Sequence, residues 1–118
     1  MTTREQDAET RTAFVFRNAS VQVTVDMRAY RLAAVQKTAY KLAERCTAVI
    51  GAPEGNGLPI TFVFRPETVE SDALEVVRLF FQELLDQELR EQIGDETRAV
   101  RALILAQAFS RTNLIRHD

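Results

Sequence analysis

The feature that most constrains the fold is a two-residue hydrophobic period that occurs twice in the first half of the chain. Val21, Val23 and Val25 alternate with polar residues, and a second run, LPITFVF at residues 58–64, repeats the pattern. Such alternation is typical of strands that bury one face. The chain is therefore expected to build a sheet whose apolar face is covered by other segments.

A third extended segment, CTAVIGA at residues 46–52, lies before the second run and is separated from it by PEGNG. Proline, glycine and asparagine are turn residues. The segments at residues 46–52 and 58–64 are therefore predicted to form an antiparallel hairpin. Pro59 cannot donate a ladder hydrogen bond, which predicts a place at the start of a strand or on a sheet edge.

Between the first strand and this hairpin, residues 28–45 carry apolar side chains at three- and four-residue steps. This spacing predicts an amphipathic helix packed on the sheet, with Asp26 as its N-terminal cap. Its basic residues form either a functional patch or, as we favour, a solvated face. They are Arg28, Arg31, Lys37, Lys41 and Arg45.

The last third of the chain is strongly helical in pattern. A helix is predicted over residues 71–92, because its apolar residues share one face and Asp72 with Glu75 has the spacing of a capping box. Gly94 is expected to end this helix, so that a third helix beginning near Asp95 folds back as a helical hairpin.

These elements predict an α+β fold in the order β-α-β-β-α-α, with a three-stranded sheet packed against one helix and a C-terminal helical hairpin. The length of 118 residues fits one domain. We place this domain at residues 13–112, between a disordered N-terminal tail, residues 1–12, and a C-terminal tail, residues 113–118.

The composition argues against several functions. With a net charge of -2, the chain lacks the excess of positive charge that supplies most non-specific affinity for nucleic acid. No apolar run is long enough for a membrane span. The single cysteine, Cys46, and single histidine, His117, cannot assemble a metal site or a disulfide within one chain. We therefore expect a cytoplasmic protein that is not an enzyme and holds no cofactor.

The aromatic residues need cover from several directions. Phe80 and Phe81 are about 100° apart on a helix, so one of them requires a second layer, supplied by the final helix or by a partner. Phe14 and Phe16 precede the first strand and could complete the core, pair with a neighbouring subunit or hold a partner peptide. We favour the core for this pair.

The segment FQELLDQELREQIGDETRAVRALILAQAF, residues 81–109, resembles the C-terminal hairpin of the small D protein (HxsD) of the His-Xaa-Ser system. Residues 30–50, YRLAAVQKTAYKLAERCTAVI, are similar to the helix and following strand of the same family. The chain departs from the family pattern at Gln82 and Asp86, where asparagine is frequent. Another departure is the pair Arg98 and Ala99, which replaces Ala-Pro.

The resemblance implies a cassette in which two radical S-adenosylmethionine (SAM) enzymes modify a peptide or a repeat-bearing protein. The D protein would be its non-catalytic accessory component, and its partners would be the maturases, the precursor or both. The polar residues matched in the helical hairpin either fix the angle between its helices or dock the maturase. The predicted partner-binding residues are Glu83, Asp86, Gln87, Arg90, Glu96, Arg101, Phe14 and Phe16.

Two other functions remain open at this point. An acidic secretion-type chaperone or a homodimeric interaction protein would also suit a small acidic α+β chain. A small enzyme that uses carboxylates alone would need a buried acidic pair in a deep pocket. The sequence gives no sign of such a pair.

Overall fold

A computed structural model describes residues 14–117 of the chain, with side chains as far as Ser110. The strands are β1 (Phe16–Arg17), β2 (Ser20–Asp26), β3 (Thr47–Ile50) and β4 (Gly57–Val63). The helices are α1 (Leu32–Lys41) and α2 (Glu70–His117). The predicted tail at residues 1–12 lies outside the described residues.

The four strands form one antiparallel sheet in the order β1-β2-β4-β3. The prediction of an α+β fold is confirmed. The first strand predicted from the sequence is confirmed as β2, and the predicted hairpin is confirmed as β3 with β4. The predicted number of strands is wrong, because residues 16–17 pair with residues 20–21. Asn18 and Ala19 make the turn between them with φ of 52° and 54°, a left-handed conformation that asparagine tolerates and alanine seldom adopts.

The core lies between one face of the sheet and the two helices. Val21, Val23 and Val25 are all buried, as the alternation predicts. Phe62 of β4 meets Phe80 of α2 edge to face, with ring centroids 4.9 Å apart. The other buried apolar residues on which this packing depends are Ala34, Val35, Leu42, Cys46, Leu58, Ile60, Phe64, Ala73, Val77 and Leu84.

Pro59 lies inside β4, the strand between β2 and β3, and not at a strand start or sheet edge. Its carbonyl accepts a hydrogen bond from the Gly51 amide at 2.8 Å, just past the last residue of β3. The missing N–H of the proline therefore falls where the ladder with β3 has already ended, so no pair inside that ladder is lost.

Helix α1 begins later than predicted because Asp26 caps a turn instead of a helix. The Asp26 carboxylate accepts a hydrogen bond from the Arg28 backbone N–H at 2.9 Å. The main-chain carbonyl of Asp26 accepts hydrogen bonds from the backbone N–H groups of Ala29 and Tyr30. The Arg28 side chain also hydrogen bonds to this carboxylate and holds the Asp26 pKa down at about 2. Arg31 is the N-cap of α1, and its own side chain makes no capping bond.

The largest correction concerns the C-terminal part of the chain, where a single helix of 48 residues replaces the predicted hairpin. Gly94 continues the helix because glycine in a helix interior costs only about 1 kcal/mol relative to alanine. Asp72 and Glu75, the predicted capping box, both lie within this helix, and Glu75 pairs with Arg78. From Asp95 to Ser110 every residue is exposed.

We predict that Gly94→Ala strengthens α2. A Cβ at this position would first meet the end of the flexible Arg98 side chain, at 3.4 Å, so alanine fits and gains helix propensity of about 1 kcal/mol. Amide hydrogen exchange of residues 95–101 should slow roughly fivefold. Faster exchange in the variant would instead indicate the left-handed glycine of a hairpin turn.

Candidate functional site

The first candidate surface is the outer edge of β3. Among the described residues, no strand pairs with this edge, because β3 is the last strand of the sheet. Val49 faces Thr61 and Gly51 donates to Pro59, so the hydrogen-bonded pairs with β4 fall on the odd-numbered residues. The N–H and C=O groups of Ala48 and Ile50 consequently point outward, where an extended chain could pair with them.

A groove of about 340 Å³ runs beside this edge, between β3 and the C-terminal part of α1. Small side chains form most of its wall, and Tyr40 stands at its rim with 84% of its surface exposed. An aromatic ring that is this exposed offers an apolar face together with a hydroxyl group. The lining residues are Ala39, Tyr40, Ala43, Cys46, Thr47 and Ala48.

Cys46 belongs to the groove wall but is itself buried. Its Sγ lies 3.9 Å from the Leu42 carbonyl, and burial raises the pKa of the thiol. A thiol in this state is a poor nucleophile. The sequence pattern places Cys46 within a strand, and this prediction is wrong by one residue, because β3 begins at Thr47.

The second candidate surface is the contact between α1 and α2, where the cations of α1 meet the acids of α2. Lys41 pairs with Glu83 at 3.2 Å, and Lys37 pairs with Glu91. Hydrogen bonds, first from Lys37 and then from Gln87, lower the pKa of Glu91. Most of the basic residues of the first helix therefore neutralise partners within the chain, and they do not form a free cationic patch.

Glu88 is the most buried charged residue that the structure describes, with 5% of its surface exposed. Its carboxylate accepts the backbone N–H of Arg31 at 2.8 Å and the Arg31 Nε at 3.1 Å, so it caps α1 from another helix. A second carboxylate, Asp95, binds the same guanidinium at 2.6 Å. Hydrogen bonds from Arg31 and then Arg98 lower the Asp95 pKa.

The predicted partner-binding residues do not come together at one place. Asp86 and Arg90 pair with each other at 2.8 Å on the exposed side of α2, while Gln87 donates to Glu91 at 3.2 Å. Glu96 and Arg101 are exposed beyond Gly94. With a continuous helix, none of these residues pairs across a hairpin.

The two N-terminal phenylalanines pack against the core. Phe14 stacks on Phe81 with ring centroids 5.6 Å apart, while Phe80 points into the core. The second layer over Phe81 therefore comes from Phe14, and neither a folded-back helix nor a partner is needed there.

Comparison with known families gives one result. A family model described as His-Xaa-Ser system protein HxsD matches residues 25–115. The chain belongs to this family. The HxsD match begins at the end of β2 and includes α1, β3, β4 and nearly all of α2. No curated protein and no solved structure gives a significant match.

No helix within residues 14–117 is both long enough and apolar enough to cross a membrane. No cluster of three or more histidine, cysteine or acidic side chains suited to a metal ion occurs in the described part of the chain. Membership of the HxsD family gives the protein a role in the His-Xaa-Ser system.

Proposed function

We propose that the protein is a non-catalytic accessory component of the His-Xaa-Ser system that binds an extended segment of the repeat-bearing precursor along the outer edge of β3. The observation that carries this proposal is a strand edge with which no strand in residues 14–117 pairs, beside a groove. Strand addition is a common mode of peptide recognition, in which backbone hydrogen bonds supply affinity and alternate side chains enter pockets.

The shape of the groove favours particular peptide side chains. Every second residue of an added strand would point toward α1, where Ala39 and Ala43 leave space and Tyr40 offers its ring. The backbone groups of Ala48 and Ile50 supply two donors and two acceptors for the incoming chain. Affinity would thus depend mainly on the peptide backbone, which suits a substrate made of repeats.

We assign the chemistry of the system to its other members, the radical SAM enzymes that the family resemblance implies. An iron–sulfur cluster of that class needs three cysteines, whereas this sequence has one, and that one is buried. We also propose the cytoplasm as its compartment, because a lone reduced cysteine suits a reducing environment.

The proposal predicts that Ala48→Pro abolishes binding of the purified precursor protein while the domain stays folded. Proline removes the outward N–H of Ala48 and blocks strand addition, yet this N–H takes no part in the ladder with β4. Ala48→Val is the matched control, since it keeps the N–H and favours a strand. Calorimetric titration with the precursor should show loss of binding for the proline variant alone.

A second variant tests the side-chain contribution. Tyr40→Ala should weaken precursor binding by roughly tenfold, because an exposed aromatic that becomes covered contributes about 1–2 kcal/mol.

Equal precursor affinity in the wild type and Ala48→Pro, with both folded by circular dichroism, would contradict strand addition. If Ala48→Pro instead fails only to retain the radical enzymes, the maturase is the ligand of this edge.

A further inference from the structure

Helix α2 carries a second apolar surface that faces away from the sheet. We call it the outer stripe, and each of its side chains is about half exposed or more. At 100° per residue its members fall within an arc of roughly 100°, so they form one face of the helix. The outer stripe consists of Leu85, Leu89, Ile93, Val100, Leu103 and Ile104.

The outer stripe continues across Gly94, from the half of α2 that packs on the sheet to the half that leaves the domain. Leu85 and Leu89 lie on the packed half, and Val100 and Ile104 lie on the projecting half. Glu96 lies within the same arc, between Ile93 and Val100. The apolar residues on both sides of it still form a face long enough to mark an interaction surface. The partner must therefore contact both halves of the helix.

Charge divides the helix at the same point. Within the helix, residues 70–96 contain nine acidic residues and two arginines, whereas residues 97–117 contain four arginines and no acidic residue. Four of the nine acids pair with Arg31, Lys37 or Lys41, and these three cations leave the first half of the helix with an acidic excess. Two copies of α2 side by side in a parallel arrangement would place like charge next to like charge. An antiparallel arrangement places the basic half of each copy along the acidic half of the other, which is electrostatically favourable.

We propose that a second copy of this chain covers the outer stripe, with its α2 antiparallel to the first and the two-fold axis next to Gly94. In this register Leu85 of one copy faces Ile104 of the other, and Leu89 faces Val100. The arrangement is symmetric, so each contact occurs twice, as in most homodimers. It also brings Arg101 of each copy near the turn that contains Asp86 of the other.

The sheet and α1 lie on the opposite side of α2 from the outer stripe, so the edge of β3 remains open in the dimer. Leu105 and Phe109 lie on another face of the helix and take no part. The dimer therefore rests on different residues from the proposed peptide site.

Sedimentation equilibrium of matched valine variants tests whether the outer stripe holds the dimer. Val100 and Val69 are 56% and 55% exposed, but only Val100 belongs to the outer stripe. Val100→Asp should weaken self-association by about tenfold or more, since it buries an unpaired charge, while Val69→Asp should leave it unchanged. A monomeric wild type, or equal effects of the two substitutions, would overturn the proposal.

Spin labels test the orientation. A label at residue 106 of each copy, introduced as Ala106→Cys in a Cys46→Ser background, should give a separation of about 35 Å for antiparallel helices that cross near Gly94. Labels introduced by Asp95→Cys should lie within about 20 Å of each other. A separation under about 20 Å at residue 106 would indicate parallel helices and would overturn the proposal.

Discussion

Phe80→Ala is expected to lower the free energy of unfolding by about 3–5 kcal/mol, the largest loss among the substitutions considered for this fold. Phe80 is fully buried and meets Phe62 edge to face, so alanine would leave a cavity between the helix and the sheet. The surrounding strands cannot close such a gap, because the Phe62 ring is held by β4 between two other strands.

Phe81→Ala is the matched control, because it removes the same side chain one position away. Phe81 is half-buried and is covered by Phe14, so its loss should cost only about 1–2 kcal/mol. Urea unfolding followed by circular dichroism measures both values. Equal losses would mean that the two rings share the core, which would contradict the burial of Phe80 beneath a half-buried Phe81.

Glu88→Ala should destabilise the protein by about 2–3 kcal/mol. The substitution removes the cap of α1 and leaves the Arg31 N–H without its partner at the buried contact between the helices. The Arg31 guanidinium keeps Asp95, which limits the loss. The amide protons at the start of α1 should also exchange faster, because that turn would no longer be held.

Glu75→Ala serves as the control for Glu88→Ala. It removes a carboxylate from the same helix, but Glu75 is exposed and pairs only with Arg78 one turn later, so the change should be under about 0.5 kcal/mol. If both substitutions had the same small effect, the Glu88 carboxylate would not be acting as a cap. Glu88→Gln should retain part of the stability, since its amide oxygen can still accept the Arg31 N–H.

The sheet could be predicted from the sequence because its signal is local. The alternation of Val21, Val23 and Val25 permits one burial pattern only, and a shift of one residue would expose all three. The strand β1 was missed because it has two residues and its turn contains Ala19 where glycine is usual. Its pairing depends on this turn and not on a hydrophobic period.

The long helix was misread at Gly94, because a glycine can either end a helix or continue it at modest cost. The family pattern often has proline at the position of Ala99, and a proline there would interrupt the helix. This chain has alanine instead, so the helix can continue. Glu88 was missed for a different reason. It follows Leu84 by four residues on the buried face, a place where a charged residue indicates a partner, and this signal was available in the sequence.

The unequal lengths of the two outermost strands have a consequence for solubility. A sheet that can grow at both sides adds copies without limit and forms fibres, whereas β1, with two residues, is too short to serve as a template. Among the described strands, β3 alone offers an edge long enough for another chain, and a copy that docked there through its own β3 would bring no second edge of usable length. Growth of the sheet itself would therefore stop after one addition, so the exposed edge of β3 does not by itself extend into a continuous fibre of strands.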